Sequence, residues 1–226
     1  MCLVEVARAG RAGRAAKAAD TLSVYDLAAP FRNHHLVMRS YGSNSLVALV
    51  NTKKFIVEDV HVRGISTNNI AMFVDLMHKR ADTPMTLVVT HFPANHPGRY
   101  DILKTFGARV RERVVGARPL LICGDFNMEG TLARESIEEH TGTCVRIPPV
   151  SDTIPGTFLG FREIDRAYRV PDTAREFDVV AVRDLETDRH AIADLTQHTY
   201  GDTIATYTYP SDHLAVHLRA FLTVRV

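Results

Sequence analysis

Two short, wholly apolar runs constrain this chain more than anything else in it. Leu87-Val88-Val89 and Leu120-Leu121-Ile122-Cys123 lack the polar alternation of a half-solvated strand. Continuous runs of this kind belong to strands covered on both faces. Such strands need packed layers on either side, and 226 residues at 46% hydrophobic suffice for one domain built that way. Between the two runs, Ile102, Leu103, Phe106, Val110 and Val114 recur at helical spacing, which predicts a helix over Ile102–Val115. Leu46–Val50 and Phe55–Val62 read as strands joined by the polar turn Asn51-Thr52-Lys53-Lys54. Ile70–Val74, Thr86–Thr90, Phe177–Val182 and Leu214–Leu222 read as further strands, and 7–19 and Thr131–His140 as helices. Cys144–Arg162 is turn-rich, with Pro148, Pro149, Pro155 and Gly156, and the polar stretch Glu186–Tyr207 fits no element. Strands and helices alternate with no repeat or linker, which predicts a single α/β domain over 1–226.

Composition removes several classes. Lys+Arg 27 against Asp+Glu 26 leaves a net charge of +1, so a polyanion binder working through net charge alone is excluded, though not one with a local basic groove. No apolar run approaches the roughly 20 residues that span a bilayer. Cys2, Cys123 and Cys144 are too scattered for a disulfide framework or a zinc site. Reduced thiols and a cytoplasmic location are therefore expected. Arg8, Arg11, Arg14 and Lys17 in an Ala-rich stretch resemble a mitochondrial presequence, but Glu5, Asp20 and the scarcity of hydroxyl residues before Thr21 weigh against it.

Polar residues gather where the apolar strands end, which is where loops carry function. Thr90-His91 follows one buried run, and Gly124-Asp125-Phe126-Asn127 follows the other, the missing side chain of Gly124 allowing close approach. In extended chain Asp125 and Asn127 point the same way. Ser211-Asp212-His213 precedes the last strand. Each has a bland reading: Asp-x-Asn is often an Asx turn, Asp-His a surface turn, and a lone His91 structural. Jointly, acids, an amide and imidazoles at strand ends describe a metal-assisted phosphate site.

Gly124-Asp125-Phe126-Asn127, the later Ser211-Asp212-His213, the Thr90-His91 strand end, and Thr157-Phe158 with Phe177-Asp178-Val179-Val180 resemble the endonuclease/exonuclease/phosphatase superfamily, in order and spacing, from about Cys2 to Leu222. The resemblance implies a DNase-like four-layer sandwich: two mixed β-sheets packed face to face with helices outside. Cys2-Leu3-Val4-Glu5-Val6 resembles a strand whose Glu binds the metal, with Val4 where the family has Gln. A further strand precedes that one in the family. The chain is therefore expected to be N-terminally short, to lack that strand, and to be less stable than a version carrying it.

The resemblance also implies roles. Glu5, with Asp212 in support, would bind Mg²⁺, with Mn²⁺ as the substitute. Asp125 would orient and deprotonate the attacking water, and Asn127 would hold that water or a phosphate oxygen. His213 would contact the scissile phosphate or share the base role, with Asp178 (Asp165 as its rival) fixing its tautomer. His91 would donate to the phosphate as charge builds. The expected activity is metal-dependent hydrolysis of a phosphate ester: nucleic acid, phospholipid head group or small molecule. Two other readings stand beside it. One is a degenerate member that binds a phosphorylated partner without turnover. The other is an unrelated α/β binding domain in which these motifs are turns.

Overall fold

The computed structural model describes residues 2–3, 31–41, 44–94, 96–128, 131–146, 162–164, 167–169, 178–192, 203–204 and 216–222. In chain order the elements are β1 (Cys2–Leu3), β2 (His34–Tyr41), β3 (Asn44–Asn51), β4 (Phe55–Gly64), β5 (Ile70–His78), β6 (Thr83–His91), α1 (Arg99–Arg113), β7 (Leu120–Asp125), α2 (Thr131–Thr141) and β8 (Cys144–Val145). There follow β9 (Arg162–Ile164), β10 (Ala167–Arg169), β11 (Asp178–Arg183), β12 (Leu185–Ile192), β13 (Thr203–Ile204) and β14 (Val216–Leu222). The helix expected over 7–19 lies outside the described residues.

A six-stranded sheet in the order β4-β5-β6-β7-β11-β8 forms the centre. The apolar runs form β6 and β7, which pair in parallel, while the sheet's other ladders are antiparallel. This sheet is therefore mixed, and the fully apolar strands lie inside it, as their lack of alternation requires. On one face, Phe73, Val88, Ile122 and Ala181 pack against Leu103, Phe106 and Val110 of α1 and Ile137 of α2. The two helices approach closely, because a Cβ on Gly107 would meet the backbone oxygen of His140 at 2.3 Å. On the other face, Met72, Val74, Leu87 and Val89 pack against Val37, Leu46, Ala48 and Val50 from the sheet β1-β3-β2. Leu185 and Leu222, from the paired β12 and β14, pack against the same core. Among the described residues this gives helices, a mixed sheet and a second β layer, consistent with the expected sandwich. The sheet β1-β3-β2, however, is antiparallel throughout rather than mixed, and both described helices lie on the far side of the central sheet.

The turn Asn51–Lys54 forms as expected and joins β3 to β4, with Asn51 Oδ1 accepting the Lys53 N–H at 2.9 Å. β3 pairs with β1 and β2, and β4 with β5, so the turn hands the chain from one sheet to the other. The strand of residues 120–123 does not stop at Gly124 but runs on to Asp125. Within the polar stretch Glu186–Tyr207, residues up to Ile192 form β12, whose partner is β14. Cys123 and Cys144 are free thiols, and no helix among the described residues is long and apolar enough to cross a membrane.

Candidate active site

The alternation of side chains along a strand builds this site. Leu87 and Val89 on β6, and Cys123 on β7, belong to the core between the two β layers. Two residues beyond Val89 and Cys123 come His91 and Asp125, which face the same way. They are also paired in register, His91 with Asp125 in the parallel ladder. The inter-sheet core thus turns polar at one end of its own file of side chains. Asp178, first residue of β11, is the antiparallel partner of Asp125, so three chemistry-bearing residues share one register across adjacent strands.

The residues between them point to the helix side and anchor the ends. Phe92 and Phe126 stack with centroids 4.7 Å apart, and Phe106 of α1 meets Phe126 edge-on at 5.8 Å. All three rings are fully buried. Gly124 is required by proximity: a Cβ there would lie 2.0 Å from the Thr90 carbonyl oxygen.

Asp125 is 2% exposed, and His91 and Asn127 are 8% exposed. Asp125 Oδ1 accepts the backbone N–H of Asn127 at 2.7 Å, and Oδ2 accepts its Nδ2 at 2.9 Å. Asn127 therefore closes an Asx turn, in the left-handed conformation (φ 49°) that Asn tolerates. The expected Asx turn is present, and it aims the amide at the carboxylate. Asn127 Nδ2 also donates to the Phe92 carbonyl at 2.8 Å. His91 Nε2 lies 3.5 Å from Asp125 Oδ2 and 3.3 Å from Asn127 Nδ2, while His91 Nδ1 lies 2.6 Å from the Tyr41 hydroxyl.

Three residues outside the sequence prediction hold this group. Tyr41 comes from β2 in the opposing sheet. Asn69 donates to the His91 carbonyl at 3.0 Å, and Arg99, at the start of α1, donates to the Asn127 carbonyl at 2.5 Å. Nothing local in the sequence marks them, since each acts across the fold. Of the expected residues, His91, Asp125 and Asn127 come together and Asp178 joins their register. Glu5, Asp165, Asp212 and His213 lie outside the described residues.

A second carboxylate group is the rival for a metal. Asp59, His61 and Asp75 offer ligand atoms within 4.8 Å of one another. Yet Arg113 contacts Asp75 Oδ2 directly and lies 3.8 Å from Asp59, and Arg118 lies 3.4 Å from Asp75 Oδ1. Thr86 donates to Asp75 Oδ1 at 2.9 Å. Two guanidinium groups already supply the positive charge a metal would bring, so the group is an ion-pair network. Asp59 is held below its ordinary 3.8, chiefly by the Val60 N–H; loss of hydration, the next influence, opposes this, and His61 and then Arg113 add to the lowering. The network also lies at the wrong end. Thr86 pairs with Leu120 at the start of β7, five residues and roughly 16 Å along β6 from His91. A shallow depression of about 440 Å³, lined by Cys144, Arg146 and Arg183, is likewise remote, since Arg183 also pairs with Leu120.

No family profile matches the chain, and no curated protein does. Solved structures match it closely in shape. A mannosyl-6-phosphatase from Bacteroides thetaiotaomicron superposes with a TM-score of 0.68 at 14% identity, over 88% of this chain and 81% of that one. An endonuclease/exonuclease/phosphatase from Bacteroides vulgatus gives 0.65 at 17% identity, over 88% and 80%. The chain has the endonuclease/exonuclease/phosphatase fold. The human Nocturnin catalytic domain, solved with a sulfate anion, shares this fold at a TM-score of 0.64 and 16% identity, over 88% and 76%. An α/β domain of some other architecture is thereby set aside.

Proposed function

We propose that the chain is a metal-dependent hydrolase of phosphate esters. The observation that carries this reading is the buried His91–Asp125–Asn127 group at the end of the inter-sheet core. Proteins sharing the fold are named for compatible chemistry: a mannosyl-6-phosphatase, and a TDP2 from D. rerio complexed with single-strand DNA product.

Asp125, fixed by both donors of Asn127, orients the attacking water and takes its proton. The two Nδ2 protons of Asn127 go to Asp125 and Phe92. Its part at the substrate is therefore as an acceptor, through Oδ1, which suits a water better than a phosphate oxygen. His91 donates to the phosphate as negative charge builds. His213, its tautomer fixed by Asp178, is assigned to the scissile phosphate or to a share of the base role. The donor set at this end is rich in oxygen, with Asp125 and Asp178 in paired register, which suits a hard cation. Glu5 and Asp212 are the residues assigned to hold Mg²⁺ or Mn²⁺, which when bound neutralises charge on the phosphate.

The test is a panel of phosphodiesters and phosphomonoesters, including nucleic acid, phospholipid head-group and small-molecule esters, assayed with Mg²⁺ or with chelator. Turnover that needs the cation and is lost in Asp125→Ala is expected. A folded protein that binds phosphate esters and turns over none of them would instead establish the non-catalytic reading.

A further inference from the structure

We infer that Tyr41 is a positioning residue that sets His91 as a hydrogen-bond donor rather than a base. This deepens the hydrolase reading, and its catalytic half rests on that reading. Asn127 Nδ2 has two hydrogens and three acceptor atoms within reach: the Phe92 carbonyl at 2.8 Å, Asp125 Oδ2 at 2.9 Å and His91 Nε2 at 3.3 Å. The two nearer oxygens take both hydrogens, and since both are acceptors they also fix which end of the amide is nitrogen. His91 Nε2 then faces a carboxylate oxygen at 3.5 Å, and an oxygen of that kind alongside favours the tautomer with the proton on Nε2. A neutral imidazole protonated at Nε2 has its lone pair on Nδ1, and there the Tyr41 hydroxyl stands at 2.6 Å. The phenol donates to Nδ1, and the tautomer follows from that bond.

The partner's identity decides the role. A carboxylate at Nδ1 would accept a hydrogen bond from Nδ1–H and leave a bare Nε2, which is a base. A phenol that donates a hydrogen bond to Nδ1 leaves the ring proton on Nε2, which is a donor. Tyr41 is placed for this by the fold. It ends β2, packs against the inter-sheet core, and reaches His91 from the opposing sheet with the rings 6.0 Å apart and inclined at 62°.

The experiment is a long-range ¹H–¹⁵N correlation on ¹⁵N-histidine-labelled protein at a pH above the imidazole range, with His91 assigned by its loss in His91→Gln. It needs no substrate or turnover, so it stands apart from the hydrolase test. Wild type is expected to show His91 protonated at Nε2 with a hydrogen-bonded Nδ1. In Tyr41→Phe, which keeps the packed ring, the Nδ1 resonance should move towards that of a nitrogen without a hydrogen bond. On an ester the wild type hydrolyses, kcat should fall about tenfold with KM little changed. Nδ1 protonation in wild type would overturn the inference, and so would an unmoved Nδ1 resonance in Tyr41→Phe. The wild-type spectrum alone decides if the variant fails to fold.

Discussion

Asp75 and Asp125 are both buried aspartates of the central sheet, 4% and 2% exposed, yet the molecule treats them in opposite ways. Asp75 points to the helix side, where Arg113 and Arg118 meet its carboxylate. Asp125 points to the inter-sheet side, where the neutral amides of Asn127 hold it and an imidazole stands alongside. A carboxylate paired with guanidinium has its charge cancelled and serves to tie elements together, here the end of α1 to β5. One held by amides is fixed in place but keeps its charge available for a proton or a water. Burial and residue type alone therefore do not separate the two aspartates, and on the proposed reading their partners do.

Substitutions that break this contrast should differ in kind and size. Asp125→Asn should lower turnover of any ester the wild type hydrolyses by about 10³-fold, the scale of a lost general base, while the protein stays folded by circular dichroism. Gly124→Ala should damage both properties, because its Cβ would press on the Thr90 carbonyl and part β6 from β7 beneath the site. A stability loss of about 3 kcal/mol by urea unfolding is expected, with activity falling alongside. Asp75→Asn should cost about 2 kcal/mol and leave kcat near wild type. That figure is below the usual cost of breaking a buried pair because Arg113 is 29% exposed and water can take up its charge.

The smallest effect belongs to Asp59. A carboxyl group whose folded value lies below its unfolded one stabilises the protein above the unfolded value, and that contribution is lost as pH falls through the folded value. Asp59→Asn should therefore leave stability above pH 3.8 offset by a constant amount and flatten only the acid limb below it, read from thermal unfolding across pH. An acid limb as steep as the wild type's would contradict this.

Much of this was legible in the residues. The apolar runs at 87–89 and 120–123 placed the inner strands, and the periodicity from Ile102 placed α1, because burial on both faces and a 3.6-residue repeat are local patterns. Asp125 and Asn127 stood out as polar residues ending such a run. Tyr41 did not, because His34–Tyr41 mixes polar and apolar residues without clean alternation, and its contact with His91 spans 50 residues of chain. Asp75 was equally silent between Val74 and Leu76, its two arginines lying far along the chain. Which sheet each strand beside Asn51–Lys54 would join was not legible either. A turn's chemistry fixes its own backbone but not which strands pair beyond it, and there two sheets compete for them.

The most direct measurement compares Asp125→Asn with Asp75→Asn on one ester that the wild type hydrolyses, with Mg²⁺ present, at a temperature where both variants are folded. Loss of turnover in the first and retention in the second is the predicted result. Equal losses, or a loss confined to Asp75→Asn, would contradict the placement of the chemistry at the His91–Asp125–Asn127 end of the sheet.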